Sequence, residues 1–231
     1  MGVAAIVVAG GVGERFGRAG GKQLASVVGA PVLAHTLAAF EGATSVDEVI
    51  VVVHPERVGD YAVQIAGFDK VVGIVAGGDT RQASVAAGLE VLSGNVDVVV
   101  VHDGARPLVP SEMIDATVAA LGDSGADGVV LGHPSYDTIK RVDADGFVVA
   151  TEDRATLWVA QTPQVFHSAT LRAAYAAAEE SGFLGTDDSS LIERNGGRVL
   201  MLLGPRDNLK VTVPEDLLLV ERVLEARARE S

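Results

Sequence analysis

No cysteine occurs in the chain, so neither a disulfide framework nor a thiolate metal site is available to it. No apolar stretch reaches 18 residues, which excludes a helical membrane span by length. The apolar run near the N-terminus is too short, and too uncharged at its front, to be a secretory signal. A cytoplasmic protein is expected. Cations are scarce as well: 18 Lys and Arg stand against 31 Asp and Glu, a formal net charge of −13. Such a chain repels a nucleic-acid backbone on average, so no nucleic-acid partner is expected, and an anionic substrate has to be drawn in by local cations. Repeats, linkers and low-complexity segments are missing too, and 231 residues suffice for one large domain with a substantial core.

Against that acidic background one segment stands out, VVAGGVGERFGRAGGKQ at residues 7–23. There an apolar run gives way to a glycine-rich loop carrying Arg15, Arg18 and Lys22. Phe16 excludes two familiar phosphate loops. The dinucleotide frame that begins at Gly11 and Gly13 needs a small residue at that position; a Walker loop counted back from Gly21-Lys22 needs glycine there, and a hydroxyl residue in place of Gln23. What remains is a strand ending at Ala9, a turn whose bare N–H groups can approach a phosphate chain, and cations able to converge on it. This reads as a nucleoside triphosphate grip of another kind.

Apolar runs of strand length recur at 4–9, 49–54, 71–75, 98–102 and 128–132, nearly continuous in Val and Ile, which predicts burial on both faces. Between them 31–43, 55–67, 80–94 and 111–125 carry apolar residues at helical spacing and end in or near Gly, with Ser111 the expected N-cap of the last. The alternation predicts an α/β fold, a doubly wound, mostly parallel sheet with helices on both faces and ligands beyond the carboxyl ends of its strands. The rhythm breaks at 134–166. Residues 136–142, a turn at Asp145-Gly146 and 147–151 predict a protruding β-hairpin, which is marginal alone and calls for a covering surface such as a partner subunit. Helices at 168–181, from near Thr186 and from Pro214, with a short strand at 198–202, complete one domain, 1–231, with an arm at about 134–156.

Further motifs follow the loop: GGDTRQASVAAGL (77–89), VHDGARP (101–107), DTIK (137–140), QTPQVF (161–166), TDD (186–188) and DNLKVT (207–212). In order and spacing the chain resembles the 2-C-methyl-D-erythritol 4-phosphate cytidylyltransferases over essentially its full length. The resemblance implies the Rossmann-like fold of the nucleotide-diphospho-sugar transferases. It also implies transfer of CMP from CTP to 2-C-methyl-D-erythritol 4-phosphate, a polyol phosphate of the non-mevalonate isoprenoid pathway, with Mg2+ as cofactor and a homodimer formed through the arm. Residue by residue, it implies that Arg15, Lys22 and Lys210 are the catalytic cations and that Ala9, Gly10, Gly11, Gly13, Gly78, Asp79 and Ser84 hold the nucleotide. Asp103, Arg106, Thr138, Arg154 and Thr162 would surround the acceptor, Thr138 and Arg154 reaching it from the arm of the dimer partner. Val8, Gly10 and Gly21 depart from the family's common residues; glycine where proline is frequent leaves the loop before Lys22 less preorganised.

The chemistry suits these residue types. A phosphate oxygen is already an anionic nucleophile, so no general base is required; the obstacle is repulsion between anions, which positioning and cations relieve. Backbone carbonyls along 9–11 and 77–78 would favour cytosine, whose exocyclic amino group donates where uracil accepts. Arg154 offers a fork to a terminal phosphate. Asp103 is expected to bind acceptor hydroxyls, with Mg2+ held mainly by the triphosphate and Asp103 its one protein candidate. Plainer readings apply to TDD, as a helix cap without catalytic role, and to His102, Tyr136 and Trp158, as packing or strand-end residues. The alternatives are a ribitol 5-phosphate cytidylyltransferase, against which HDGARP and Lys140 argue, and a noncatalytic nucleotide-binding module, against which Arg15, Lys22 and Lys210 together argue.

Overall fold

A computed structural model describes residues 1–11, 16 and 21–230. In chain order its elements are β1 (Gly2–Ala9), β2 (Ser26–Val27), β3 (Ala30–Pro31), α1 (Val32–Gly42), β4 (Glu48–Val53), α2 (Val58–Gln64), β5 (Val71–Ala76), α3 (Arg81–Val91) and β6 (Val96–Asp103). They continue with α4 (Ser111–Ser124), β7 (Gly128–Pro134), β8 (Lys140–Val142), β9 (Val148–Thr151), β10 (Trp158–His167), α5 (Ser168–Ser181), α6 (Asp188–Arg194), β11 (Val199–Leu203) and α7 (Asp216–Glu230). Seven strands form one sheet in the order β11-β7-β10-β6-β1-β4-β5. All neighbours run parallel except β10, which lies antiparallel between β6 and β7. Among the described residues no helix is long and apolar enough to cross a membrane.

The continuous Val and Ile runs are explained by a core on each face, because successive strand residues point to opposite sides. Val3, Ala5, Val7 and Ala9 pack with Leu33, Leu37 and Phe40 of α1 and with Ile114 and Leu121 of α4. Ala4 and Ile6 pack on the other face with Val85 and Leu89 of α3 and with Leu171 and Tyr175 of α5. A smaller third core joins Phe16, Val27, Val32, Ala105, Leu108, Val211 and Val220. Phe16, the residue that spoils both phosphate-loop frames, therefore packs against the turn after β6 and against α7.

Two expectations need correction. The run 71–75 is not buried on both faces, since β5 is the sheet's edge and Val72 stays 60% exposed. Ser111 does not cap α4; Pro110 holds the cap position and the Ser111 hydroxyl donates across to the Ala39 carbonyl. The segment 158–167 is a central strand, although proline inside a run argues for an edge. Its ladder with β7 steps from Ala160 to Gln164, so Pro163 falls in a bulge where its missing N–H costs no rung. The arm springs from the paired ends of β7 and β10, Pro134 and Trp158, and Gly146 turns it with a φ of 87°.

Strands β2 and β3 pair around Val28-Gly29, whose φ values of 47° and 78° are both left-handed. A two-residue turn with both φ positive favours Asn-Gly, and a β-branched residue there costs about 1–2 kcal/mol. Val28→Asn should raise the thermal midpoint by about 2–4 °C. Calorimetry showing a lower midpoint would contradict this account of the turn.

Candidate active site

The carboxyl ends of four parallel strands lie side by side: Val8 of β1 aligns with Asp103 of β6, Ala9 with Val53 of β4, and Val53 with Ala76 of β5. From β1 the chain winds out to β4 and β5, then returns to β6 on the other side of β1, so the winding direction reverses here. Ligands of open α/β sheets bind at such a point. A cleft of about 550 Å³ opens at this edge, lined by Val8, Gly10, Gly11, Lys22, Gln23, residues 54–56, Gly78, Asp79, Thr80, Arg81, Ser84, Asp103, Ala105 and Lys210. Beside it lies a cavity of about 280 Å³, lined by Arg81, Asp103, Arg106, residues 160–162, Gln164, Thr186, Asp187 and Lys210. The two share Arg81, Asp103 and Lys210.

Local sequence sets the walls of the larger cleft. Thr80 caps α3 by accepting from the Ala83 N–H at 3.0 Å, and the Ser84 hydroxyl reaches back to the carbonyls of Gly78, at 3.3 Å, and Thr80, at 2.9 Å. A Cβ on Gly78 would stand 2.6 Å from the Ala83 Cβ, so only glycine lets the turn approach the helix. On the opposite wall buried Gln23 donates to the Gly11 carbonyl at 3.3 Å, which ties the start of the glycine loop to its end.

Asp103 sits where the two cavities meet. Arg81 Nε donates to its Oδ1 at 3.1 Å, while Lys210 Nζ and Arg106 Nε stand 2.8 Å and 3.5 Å from its Oδ2. Burial raises the Asp103 pKa, but Arg81, Lys210 and Arg106 outweigh it and hold the carboxyl far below the usual carboxylate range. Behind Asp103 the Thr162 hydroxyl accepts from the Asp103 N–H at 3.0 Å and donates to His102 Nδ1 at 3.1 Å, while His102 Nε2 donates to the Arg106 carbonyl at 3.3 Å. The segment carrying Lys210 is pinned by Asn208, which donates to the Thr162 carbonyl and to Gln161, and whose own carbonyl accepts from Arg106.

Of the nucleotide candidates, Gly10, Gly11, Gly78, Asp79 and Ser84 line the larger cleft with Lys22 and Lys210. Ala9 does not: strand alternation turns it into the core, where its carbonyl accepts from Tyr61, and Val8 faces the cleft instead. Gly13, Arg15 and Arg18 lie outside the described residues. Arg106 and Thr162 line the smaller cavity with Asp103, but the Thr162 hydroxyl is engaged inward. Thr138 and Arg154 are exposed on the arm and line neither cavity of their own chain. Both Asp103 oxygens already meet cations, so the expected hydroxyl or metal contacts would have to compete with three ion pairs. Among the described residues no group of three or more His, Asp or Glu side chains could hold a metal ion. Reading the sequence alone missed Arg81, Asp188, Gln161, Gln164 and Asn208. One signal was present: Arg81 opens a helix, where the macrodipole disfavours a cation, so it requires anionic partners.

Comparison with known proteins identifies the family of the chain. The sequence model of the family described as 2-C-methyl-D-erythritol 4-phosphate cytidylyltransferase matches residues 3–226. The proteins of that name from Geotalea uraniireducens and Rubrobacter xylanophilus are 43% and 44% identical to this chain, over 98% and 99% of it and 98% and 97% of their own lengths. Among solved structures, 4-diphosphocytidyl-2C-methyl-D-erythritol synthase from Anaerococcus prevotii superposes with a TM-score of 0.86 at 29% identity, covering 97% of this chain and 96% of that one. The Thermus thermophilus cytidylyltransferase does so with a TM-score of 0.77 at 32% identity, covering 95% and 98%.

Full burial pushes the His102 imidazole down to about 3 from 6.5, although Asp103 opposes the shift, so it stays neutral. Below pH 6.5 the unfolded chain takes up a proton that the native protein refuses until about pH 3. Stability from this group is therefore complete above pH 6.5 and is lost as pH falls through that window. Urea titrations should show the unfolding free energy dropping by roughly 1 kcal/mol more per pH unit between about pH 6 and 4 than in His102→Gln. Equal slopes would mean that His102 is protonated in the fold.

Proposed function

The chain belongs to the 2-C-methyl-D-erythritol 4-phosphate cytidylyltransferase family, and from that premise we infer that CMP transfer takes place where the two cavities meet at Asp103. The enzyme joins CTP to 2-C-methyl-D-erythritol 4-phosphate, giving 4-diphosphocytidyl-2-C-methyl-D-erythritol and pyrophosphate. The observation that carries the site assignment is Lys210, whose side chain lines both cavities.

In this reading CTP occupies the larger cleft, with cytosine and ribose against Gly10, Gly78, Asp79 and Ser84 and the phosphates along Gly11, Lys22 and the loop that carries Gly13 and Arg15. The acceptor occupies the smaller cavity and presents its phosphate towards Lys210. A phosphate oxygen attacks the α-phosphorus in line with the departing pyrophosphate, and no group of the protein has to take a proton. Lys210 exchanges Asp103 for the phosphoryl oxygens as the substrates enter; Arg81 and Arg106 keep the Asp103 carboxylate paired meanwhile. The ion-paired network of two carboxylates, Asp103 and Asp188, and three cations, Arg81, Arg106 and Lys210, carries one more positive than negative charge, which Asp187 on the wall of the smaller cavity offsets. In a partly dry site Lys210, once it leaves Asp103, attracts an anion far more strongly than it would in water.

Mg2+ belongs to this proposal as an ion carried by the triphosphate. The fit is to a few outer contacts, since Asp79 and Glu56 are exposed at the cleft and Asp103 is taken by cations. When bound, the ion neutralises charge on the phosphates.

A homodimer is part of the same reading. The arm leaves Phe147 72%, Val148 60% and Val149 59% exposed, with Tyr136 and Val142 about half exposed, and so small a ribbon needs a surface to rest on. Packed on a second copy, it would deliver Thr138 and Arg154 to the partner's acceptor cavity. The cytoplasmic location expected from the cysteine-free composition is proposed with it.

Pyrophosphate release by the purified protein with CTP and Mg2+ should depend on 2-C-methyl-D-erythritol 4-phosphate and proceed poorly with ribitol 5-phosphate; the reverse preference would overturn the acceptor assignment. Lys210→Ala should lower kcat by about 100-fold to 1,000-fold with its melting temperature held. Co-expressed Lys210→Ala and Arg154→Ala chains should recover roughly a quarter of the wild-type rate, because half the dimers are mixed and each has one intact site. No recovery would remove the crossing arm from the account.

A further inference from the structure

We propose that Arg81 is a positioning residue for the transfer: anchored in the core by Asp188 and Tyr175, its guanidinium fixes the Asp103 carboxylate at the junction of the two cavities. The proposal rests on the reading that transfer takes place at that junction.

The geometry is specific. Arg81 is the first residue of α3, where the helix dipole disfavours a cation, so its partners have to outweigh that. One face of the guanidinium, Nε, donates to Asp103 Oδ1 at 3.1 Å; another nitrogen, Nη1, stands 2.8 Å from Asp188 Oδ2. Asp188 is 1% exposed, and its other oxygen accepts from the Tyr175 hydroxyl at 2.5 Å. Three helices, α3, α5 and α6, therefore converge on one guanidinium. Only a planar fork can hold two carboxylates at once through different nitrogens; a lysine ammonium at the end of a flexible stem could serve one of them.

Adjacent residues of the TDD motif divide the work. Asp187 caps α6 through the Ser190 N–H and accepts from Gln164, as a helix cap should. Asp188 faces the other way, into the core, and has no capping bond. The consequence for chemistry follows from the two oxygens of Asp103. Arg81 holds Oδ1, while Lys210 and Arg106 share Oδ2. When Lys210 turns to a phosphate, a carboxylate free to rotate would follow it and neutralise it. Arg81, itself unable to move without exposing Asp188, prevents that rotation.

A double-mutant cycle tests the proposal. Arg81→Lys should lower kcat about 10-fold to 100-fold with KM for CTP little changed, as expected for misplacement of reacting groups. Tyr175→Phe, which touches neither cavity, should lower kcat about threefold to tenfold, and the double variant should be no slower than Arg81→Lys alone, since the hydroxyl acts through Arg81. Multiplying effects, or wild-type kcat with only a lower melting temperature, would overturn the assignment. If Arg81→Lys does not fold, Asp188→Asn with Tyr175→Phe gives the same cycle. The wild-type enzyme is assayed alongside with 2-C-methyl-D-erythritol 4-phosphate: an inactive wild type removes the functional reading, whereas an active wild type with indifferent variants removes only the role of Arg81.

Discussion

A carboxylate withdrawn from water is tolerated when cations meet it, and Asp103 is met by three. Each comes from a different part of the chain: Arg81 from the start of α3, Arg106 from the turn after β6, and Lys210 from the segment before α7. The carboxylate thus draws together regions that the sheet alone would leave as separate loops. It also sets their spacing, because two oxygens can accept three charged donors only within a narrow range of positions. The surrounding hydrogen bonds serve the same end. Thr162 and neutral His102 steady the backbone of Asp103, and Asn208 steadies the backbone of Lys210.

This cluster lies at the reversal point of the sheet, so what the fold does for general reasons of winding and what the chemistry requires coincide. The strand ends supply a floor of glycine and small residues. Phe16 is held in the third core, and Gln23 ties Gly11 to the segment after Gly21 on one wall of the larger cleft. The reversed strand β10 interrupts its ladder at 161–163 and thereby brings Thr162 and Gln161 to the wall of the smaller cavity. Against a net charge of −13 over the chain, the grouping of Arg81, Arg106 and Lys210 at one point is the feature that an anionic ligand would find.

Much of the fold was legible because most of the Val and Ile runs without alternation are strands buried between two layers of helices, the edge strand 71–76 excepted, and because glycines mark the helix ends. The central strand 158–167 was not, since Pro163 reads as an edge or a loop until the bulge that accommodates it is seen. Of the candidate site, most of the lining of the larger cleft was named from the sequence, because glycines and cations compressed into a few residues draw attention to themselves. The lining of the smaller cavity was less legible. Arg81 lies in a motif that drew attention for its glycines, yet its partners Asp103 and Asp188 belong to β6 and α6, and ion pairs over that range leave no local pattern. His102 looks like a strand-end residue and becomes a hub only when Thr162 is folded beside it. Ala9 shows the opposite error, in which a residue beside the cleft in sequence faces the core by strand alternation.

The central claim is that Asp103 organises cations and that Lys210 is the member of the group that moves. Its most direct test is a crystal structure of the enzyme with CTP and Mg2+ bound. The account predicts Lys210 Nζ on the phosphates, Asp103 still paired with Arg81 and Arg106, and no bond between Asp103 and the ion. Asp103 coordinating Mg2+, with Arg81 displaced from it, would contradict the account.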